Sequence, residues 1–110
     1  LGTIVQNQTI RKGRTFSYSV DCIDEDGNSR DLTGYSGAMQ IRETPESETI
    51  LGTATVTVDE DDGVVTAVIP AATTAAYEWT AGVYDLTITS GLIVETVAEG
   101  RIGLQQTVTR

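Results

Sequence analysis

The residues best equipped for chemistry are two carboxylate runs, Asp24-Glu25-Asp26-Gly27-Asn28 and Asp59-Glu60-Asp61-Asp62-Gly63. Clustered carboxylate oxygens on a flexible loop are what a hard divalent cation needs, and the Asp-x-Asp-Gly spacing of the first run invites a calcium reading. The count does not support it. With Asp24 as the first ligand of a helix-loop-helix calcium loop, Ser29 falls where glycine is required and Tyr35 where the bidentate glutamate is required. The same residues are what a hairpin turn needs, with Gly27 or Asn28 able to take positive φ. The second run has four adjacent, mutually repelling acids and no partner segment, and it reads as a solvated turn into Val64.

Other chemistry is poorly provided for. Histidine, the commonest catalytic base, is absent, so a serine, threonine or cysteine nucleophile lacks its usual activator. Cys22 is the sole cysteine; it alternates in phase with Phe16, Tyr18 and Val20, the pattern of a buried structural thiol. Asp85 and Glu95 are the only carboxylates placed within strands, where a groove would shield them, and acid–base work on a glycoside needs two acids with their pKa values pushed apart by burial. The default for both is an outward, solvated position. Arg11, Lys12 and Arg14 are the densest positive charge, read as local partners for nearby acids. No zinc ligand set, phosphate loop or dinucleotide fingerprint occurs. Trp79 and the tyrosines at 18, 35, 77 and 84 are assigned to the core or to bends. We expect no catalytic, cofactor or metal-ligating residue, and no enzyme.

The elements that carry these residues read as strands. Residues 1–8 contain Ile4 and Val5 without a sustained pattern and are expected as an N-terminal arm or an edge strand; residues 9–110 are expected as one domain. Thr15 to Ile23 alternates with Phe16, Tyr18, Val20 and Cys22 inward. Asp31 to Tyr35 is a bend fastened by Leu32 and Tyr35. Ser36 to Glu43 places Met39 and Ile41 on one face, and Pro45 breaks it. Thr49 to Asp59 sets Ala54, Val56 and Val58 against a threonine-lined outer face.

The stretch from Gly63 to Ser90 organises the rest. Val65, Ala67 and Ile69 alternate in one strand, which ends at Pro70. Proline suits a first helical position, and the alanines that follow are good helix formers, so a short helix is expected near residues 70–78. Its apolar side, Ala72, Ala76, Tyr77 and Trp79, must pack on the sheet because so short a helix is unstable alone. After an Ala81-Gly82 turn, Tyr84, Leu86 and Ile88 face inward. Leu92 to Ala98 and Arg101 to Thr109 read as the last strands, separated by Glu99-Gly100, with Ile102 and Leu104 inward.

These elements predict an all-β fold, an antiparallel sandwich or barrel of seven or eight strands. Its expected core is Phe16, Tyr18, Val20, Met39, Ile41, Val56, Val65, Ile69, Trp79, Tyr84, Leu86, Ile88 and Ile102. The chain of 110 residues has seven Lys and Arg against sixteen Asp and Glu, a formal charge of −9. That balance argues against a general basic surface for nucleic acid or anionic membrane. No apolar run approaches the ~20 residues of a membrane span, and no leader resembles a signal peptide. The chain begins at Leu1 rather than methionine, which fits either a segment removed or left out or a numbering that starts inside a longer product.

The run of Arg14-Thr15-Phe16-Ser17-Tyr18, Asp24 to Asn28, Asp31-Leu32-Thr33-Gly34-Tyr35 and Met39-Gln40-Ile41-Arg42 resembles small domains of tailed-bacteriophage structural proteins. So do Val68 to Ala76, Trp79, Gly82-Val83-Tyr84-Asp85-Leu86, Glu99-Gly100 and the closing Val108-Thr109-Arg110. The likeness is to the N-terminal immunoglobulin-like domain of phage baseplate upper proteins, and it covers about Gln8 to Arg110. It implies an immunoglobulin-like β-sandwich acting as a non-enzymatic virion component in the tail, baseplate or head-tail region. Its implied partners are other virion proteins in multiple symmetric copies, with no nucleic acid and no membrane, and its implied location is the phage particle, made in the bacterial host cytoplasm. Capsid decoration and a host-surface or glycan-binding module are the alternatives; the last requires an exposed aromatic or a calcium site.

Overall fold

A computed structural model describes residues 3–105. The chain is all-β apart from one short helix. In order the elements are β1 (Ile4–Val5), β2 (Gln8–Arg11), β3 (Phe16–Asp21), β4 (Ser36–Arg42), β5 (Ile50–Asp59), β6 (Val64–Ile69), α1 (Ala71–Ala75), β7 (Ala81–Ser90) and β8 (Ile93–Gln105). They form one sheet in the order β1-β8-β7-β4-β5-β6-β3, with β2 also on β8. The sheet curls into a half-barrel. The curl turns on β5, whose first half pairs with β4 (Met39↔Ala54) and whose second half pairs with β6 (Thr55↔Val68).

The sheet is mixed, a correction to the purely antiparallel expectation. β1 and β2 run parallel to β8, with Ile4 opposite Ala98 and Gln8 opposite Ile102. Strand direction leaves no trace in an alternating pattern, so only the tertiary path reveals it. Glu99-Gly100 is no break: β8 runs straight through it, because Gly100 has no Cβ to obstruct the Gln6 backbone that crosses there. Ala81-Gly82 likewise opens β7 rather than turning before it. The expected strand end at Thr109, the closing Val108-Thr109-Arg110 motif and the first two residues of the expected arm lie outside the described residues.

Burial of apolar side chains drives the fold. Within the half-barrel Phe16, Val20, Met39, Ile41, Val65, Ile69, Tyr84, Leu86, Ile88 and Ile102 are buried, joined by Ile10, Leu32 and Ala67. Tyr18, Val56 and Trp79 are half-buried and pack against that cluster. Tyr77 is buried, with the Trp79 ring tilted against it at 5.2 Å between centroids.

The helix is shorter than the expected 70–78 and turns a different side inward. Pro70 is its N-cap in extended conformation (φ −64°, ψ 153°), not its first helical residue. Ala72 and Ala76 are exposed, and the buried residue is Thr74. Its Oγ1 donates to the Arg14 carbonyl at 2.8 Å and accepts the Gly13 N–H at 3.0 Å. The helix is therefore docked by a polar pin on the β2–β3 turn, a feature invisible to apolar periodicity.

Candidate interaction surface

The register places the turns at two ends. Residues 24–28, 31–35, 59–63 and 90–92 gather at one end; the β2–β3 turn, the 43–49 loop and α1 gather at the other. At the first end the two acidic runs are hydrogen-bonded turns. Asp24 Oδ1 accepts the N–H groups of Asp26 and Asn28, both at 2.9 Å, and Gly27 has φ 85°. Asp59 Oδ1 accepts the Asp62 N–H at 3.1 Å, and Glu60 Oε2 accepts that of Gly34 at 3.1 Å. Among the described residues, no group of three or more His, Cys, Asp or Glu could hold a metal ion.

The same end carries three exposed apolar side chains in succession. Leu92 in the β7–β8 turn is 101% exposed, and Ile93 and Val94, which open β8, are 58% and 65% exposed. Gly91 (φ 59°) makes this tight reversal possible. The sequence offered the signal, an apolar triplet directly after a Ser-Gly turn, and its last two residues do open β8, within the strand expected from Leu92.

Glu95, expected outward, is turned inward. A register shift between Leu86 and Thr87 advances β8 by one residue, so Val97 and Ala98 are both buried and Glu95 lies opposite the core residue Ile88. Such a bulge reverses which face later residues occupy. The buried edge would penalise an unpaired carboxylate, and Arg30 supplies the compensation, donating from Nη1 to Oε1 at 3.2 Å and from Nη2 to Oε2 at 3.0 Å. The Tyr35 hydroxyl adds a third bond at 3.2 Å. The Arg30 hydrogen bonds hold the Glu95 carboxyl below the usual carboxylate range.

Asp85 does face outward, as expected. It lies on the outer face of β4, β7 and β8, between Gln40 and Glu99 across the sheet. The next row, toward the 43–49 loop, is Arg42, Val83 and Arg101. With Val5 and Asn7 on one side and Pro45 on the other, these rows floor a shallow groove of about 490 Å³. Arg42 is engaged with the Ser47 carbonyl at 2.6 Å and Gln40 Oε1 at 2.8 Å. Among the described residues the one ion pair is Arg30–Glu95, so Asp85, Glu99 and Arg101 are not paired with charges of their own chain there.

Cys22 is buried, and burial raises its thiol pKa, the reverse of nucleophile activation. Phe16, Tyr77 and Tyr84 are buried and Tyr18, Tyr35 and Trp79 half-buried, so among the described residues no aromatic side chain is fully exposed. Arg11, Lys12 and Arg14 lie in and beside the β2–β3 turn and form no ion pair among the described residues.

No protein-family model matches the sequence, and no curated protein matches it. Among solved structures the fold is similar to InlP of Listeria monocytogenes, with a TM-score of 0.52 over 91% of this chain at 15% sequence identity. The matched region is 26% of that chain. The likeness concerns the fold alone.

Proposed function

We propose that the chain is a non-enzymatic assembly domain of a tailed-phage virion, holding neighbouring virion proteins in the tail, baseplate or head-tail region. The observation that carries this reading is the exposed Leu92-Ile93-Val94 tip. Single exposed apolar residues are ordinary, but three adjacent ones, at a turn and the strand start that follows it, mark a contact surface. The two acidic runs are hydrogen-bonded turns and the aromatics are buried or half-buried, which supports a role in surface contact. The residue-level resemblance to baseplate domains supplies the particle.

The finer fold reading belongs to the same proposal. The immunoglobulin arrangement divides its strands between one sheet holding the second and fifth and another holding the third, sixth and seventh. Here β3 and β6 pair on one side of β5, and β4, β7 and β8 pair on the other. That order supports an immunoglobulin-like domain whose two sheets stay joined through β5.

The test is mass spectrometry and immunogold microscopy of purified particles from the phage or induced lysogen encoding the chain. The chain should be present in the particle, with label at the tail or neck. A Leu92→Ser/Ile93→Ser/Val94→Ser variant should fold normally yet be lost from particles. Absence of the wild-type chain from purified particles would overturn the reading, as would full incorporation of the triple variant.

A further inference from the structure

The outer face of β4, β7 and β8 has a charge pattern complementary to itself. One row carries the carboxylates Asp85 and Glu99, and the adjacent row, two residues along each strand, carries the guanidinium groups Arg42 and Arg101. Rows two residues apart are about 6.8 Å apart along a strand, and neighbouring strands about 4.8 Å apart. Asp85 and Glu99 stand directly opposite each other on adjacent strands, an arrangement that repels unless a cation joins them. No cation of the chain does so among the described residues. This part of the surface is close to neutral in a chain of charge −9. It is therefore where two copies can approach with least repulsion.

From this pattern we propose that the face pairs with the same face of a second copy, as a two-fold symmetric dimer. A two-fold axis lying in the plane of the contact has two natural directions. Along the strands, it sets carboxylates over carboxylates. Across the strands, midway between the two rows, it sets Glu99 over the partner's Arg101, and Arg101 over the partner's Glu99. Asp85 then lies over the partner's Val83, between the partner's Arg42 and the partner's Arg101. In a symmetric interface each such pair occurs twice.

The same axis runs the two copies antiparallel. Asp21, Asp24, Glu25, Asp26, Asp31 and the 59–62 run occupy one end of each molecule, while at the other Arg11, Lys12 and Arg14 stand with Glu43, Glu46, Glu48 and Glu78, so the first end is much the more negative. The strongly acidic end of each copy is thereby kept away from the same end of its partner, so the larger charge asymmetry favours the arrangement that the two rows select. The face is made by the two residues of β1, thirteen of β8, ten of β7 and seven of β4, roughly 500 Å² in projection. That is somewhat below the ~800 Å² per partner of a standard interface, which makes the dimer weak and concentration-dependent. Its charge-led contacts make it sensitive to salt.

Sedimentation equilibrium of the purified chain tests this without any virion component, so its outcome is separate from that of the assembly reading. The wild type should pass from monomer to dimer between micromolar and millimolar protein at low salt, and added salt should reverse it. Arg101→Glu and Glu99→Arg alter exposed side chains and should melt like the parent, while each weakens self-association at least about 100-fold. Mixed together, the two should form a one-to-one heterodimer, because position 99 of each copy then faces the opposite charge at position 101 of the other. The double variant Glu99→Arg/Arg101→Glu should dimerise again. A wild type that stays monomeric at millimolar concentration and low salt overturns the proposal. So does a mixture of the two single variants that fails to associate.

Discussion

Arg30 grips Glu95 at two points, 3.2 and 3.0 Å, and so fastens the segment that follows β3 to the inward-turned start of β8. The pair spans the mouth of the half-barrel beside the fully exposed Leu92 tip. Two-point guanidinium–carboxylate contacts fix orientation as well as position. Its effect is to hold the β8 end of the tip in one register, where an unpaired Glu95 would tend to swing toward water.

The pair makes a prediction in pH. The folded Glu95 carboxyl is held below its ordinary value by the Arg30 hydrogen bonds. A lowered folded pKa contributes stability that is present above the unfolded value, about 4.3, and is lost as pH falls through the folded one. Side-chain exposures of 18% and 33% for Arg30 and Glu95 mean that solvent screens the pair; its contribution is at most about 1 kcal/mol. Denaturant unfolding should show the wild type losing more stability than Glu95→Gln from neutral to strongly acidic pH. Parallel pH profiles for the two would show that the pair contributes nothing to folding.

Gly100 and Gly103 are a matched test of the parallel N-terminal strands. A Cβ at Gly100 would meet the Gln6 carbonyl oxygen and, at 2.8 Å, its carbon, both backbone atoms that cannot rotate away; at Gly103 nothing lies within 4 Å. Gly100→Ala should push residues 4–8 off β8 and destabilise by about 1–3 kcal/mol. Amide exchange at Gln6, whose N–H donates to the Glu99 carbonyl at 2.9 Å, should accelerate. Gly103→Ala should leave both readouts unchanged.

Tyr84 and Trp79 separate full from partial burial. Tyr84 is 3% exposed, and its hydroxyl donates to the Gln6 carbonyl at 2.5 Å. Tyr84→Ala should cost about 3–5 kcal/mol, and Tyr84→Phe about 1 kcal/mol for the lost hydrogen bond. Trp79 is half-buried, so Trp79→Ala should cost less than Tyr84→Ala, about 2–3 kcal/mol. Burial is the main force pushing the Tyr84 hydroxyl up to about 12. A raised folded pKa favours folding below the unfolded value, near 10, and the benefit disappears as pH rises through the folded one. Burial raises the Tyr77 hydroxyl as well, so phenolate absorbance should show two tyrosines ionising late, and Tyr84→Phe should remove one of them.

What the sequence made legible was alternation. Val65, Ala67 and Ile69, and Tyr84, Leu86 and Ile88, are buried in the phase their spacing predicts, because a strand's side chains alternate strictly while its backbone is regular. It was silent where regularity fails. The bulge beside Leu86 reverses the phase of Glu95 and buries Val97 and Ala98 together, and no residue type announces it. Ile10 is completely buried in a stretch marked mainly by cations, because β2 adds to β8 with Ile10 opposite Leu104. The interaction surface was half-legible: Asp85 was recognised as a strand carboxylate, but its alignment with Glu99 and the row of arginines beside them required the register.

Thr74 gives the sharpest test of how the helix is held. Its hydroxyl is completely buried, accepts from Gly13 and donates to Arg14, with the Ala71 carbonyl also within 3.1 Å. Thr74→Val keeps nearly the same shape and removes both contacts, leaving the Gly13 N–H and the Arg14 carbonyl without that partner at a cost of about 1–3 kcal/mol. Thr74→Ser keeps the hydroxyl and loses only a methyl group, so it should recover most of the stability. If Val and Ser variants melt alike, apolar contact holds the helix. If Val alone is weak, the hydroxyl pin does, and exchange at the Gly13 amide should rise in that variant only.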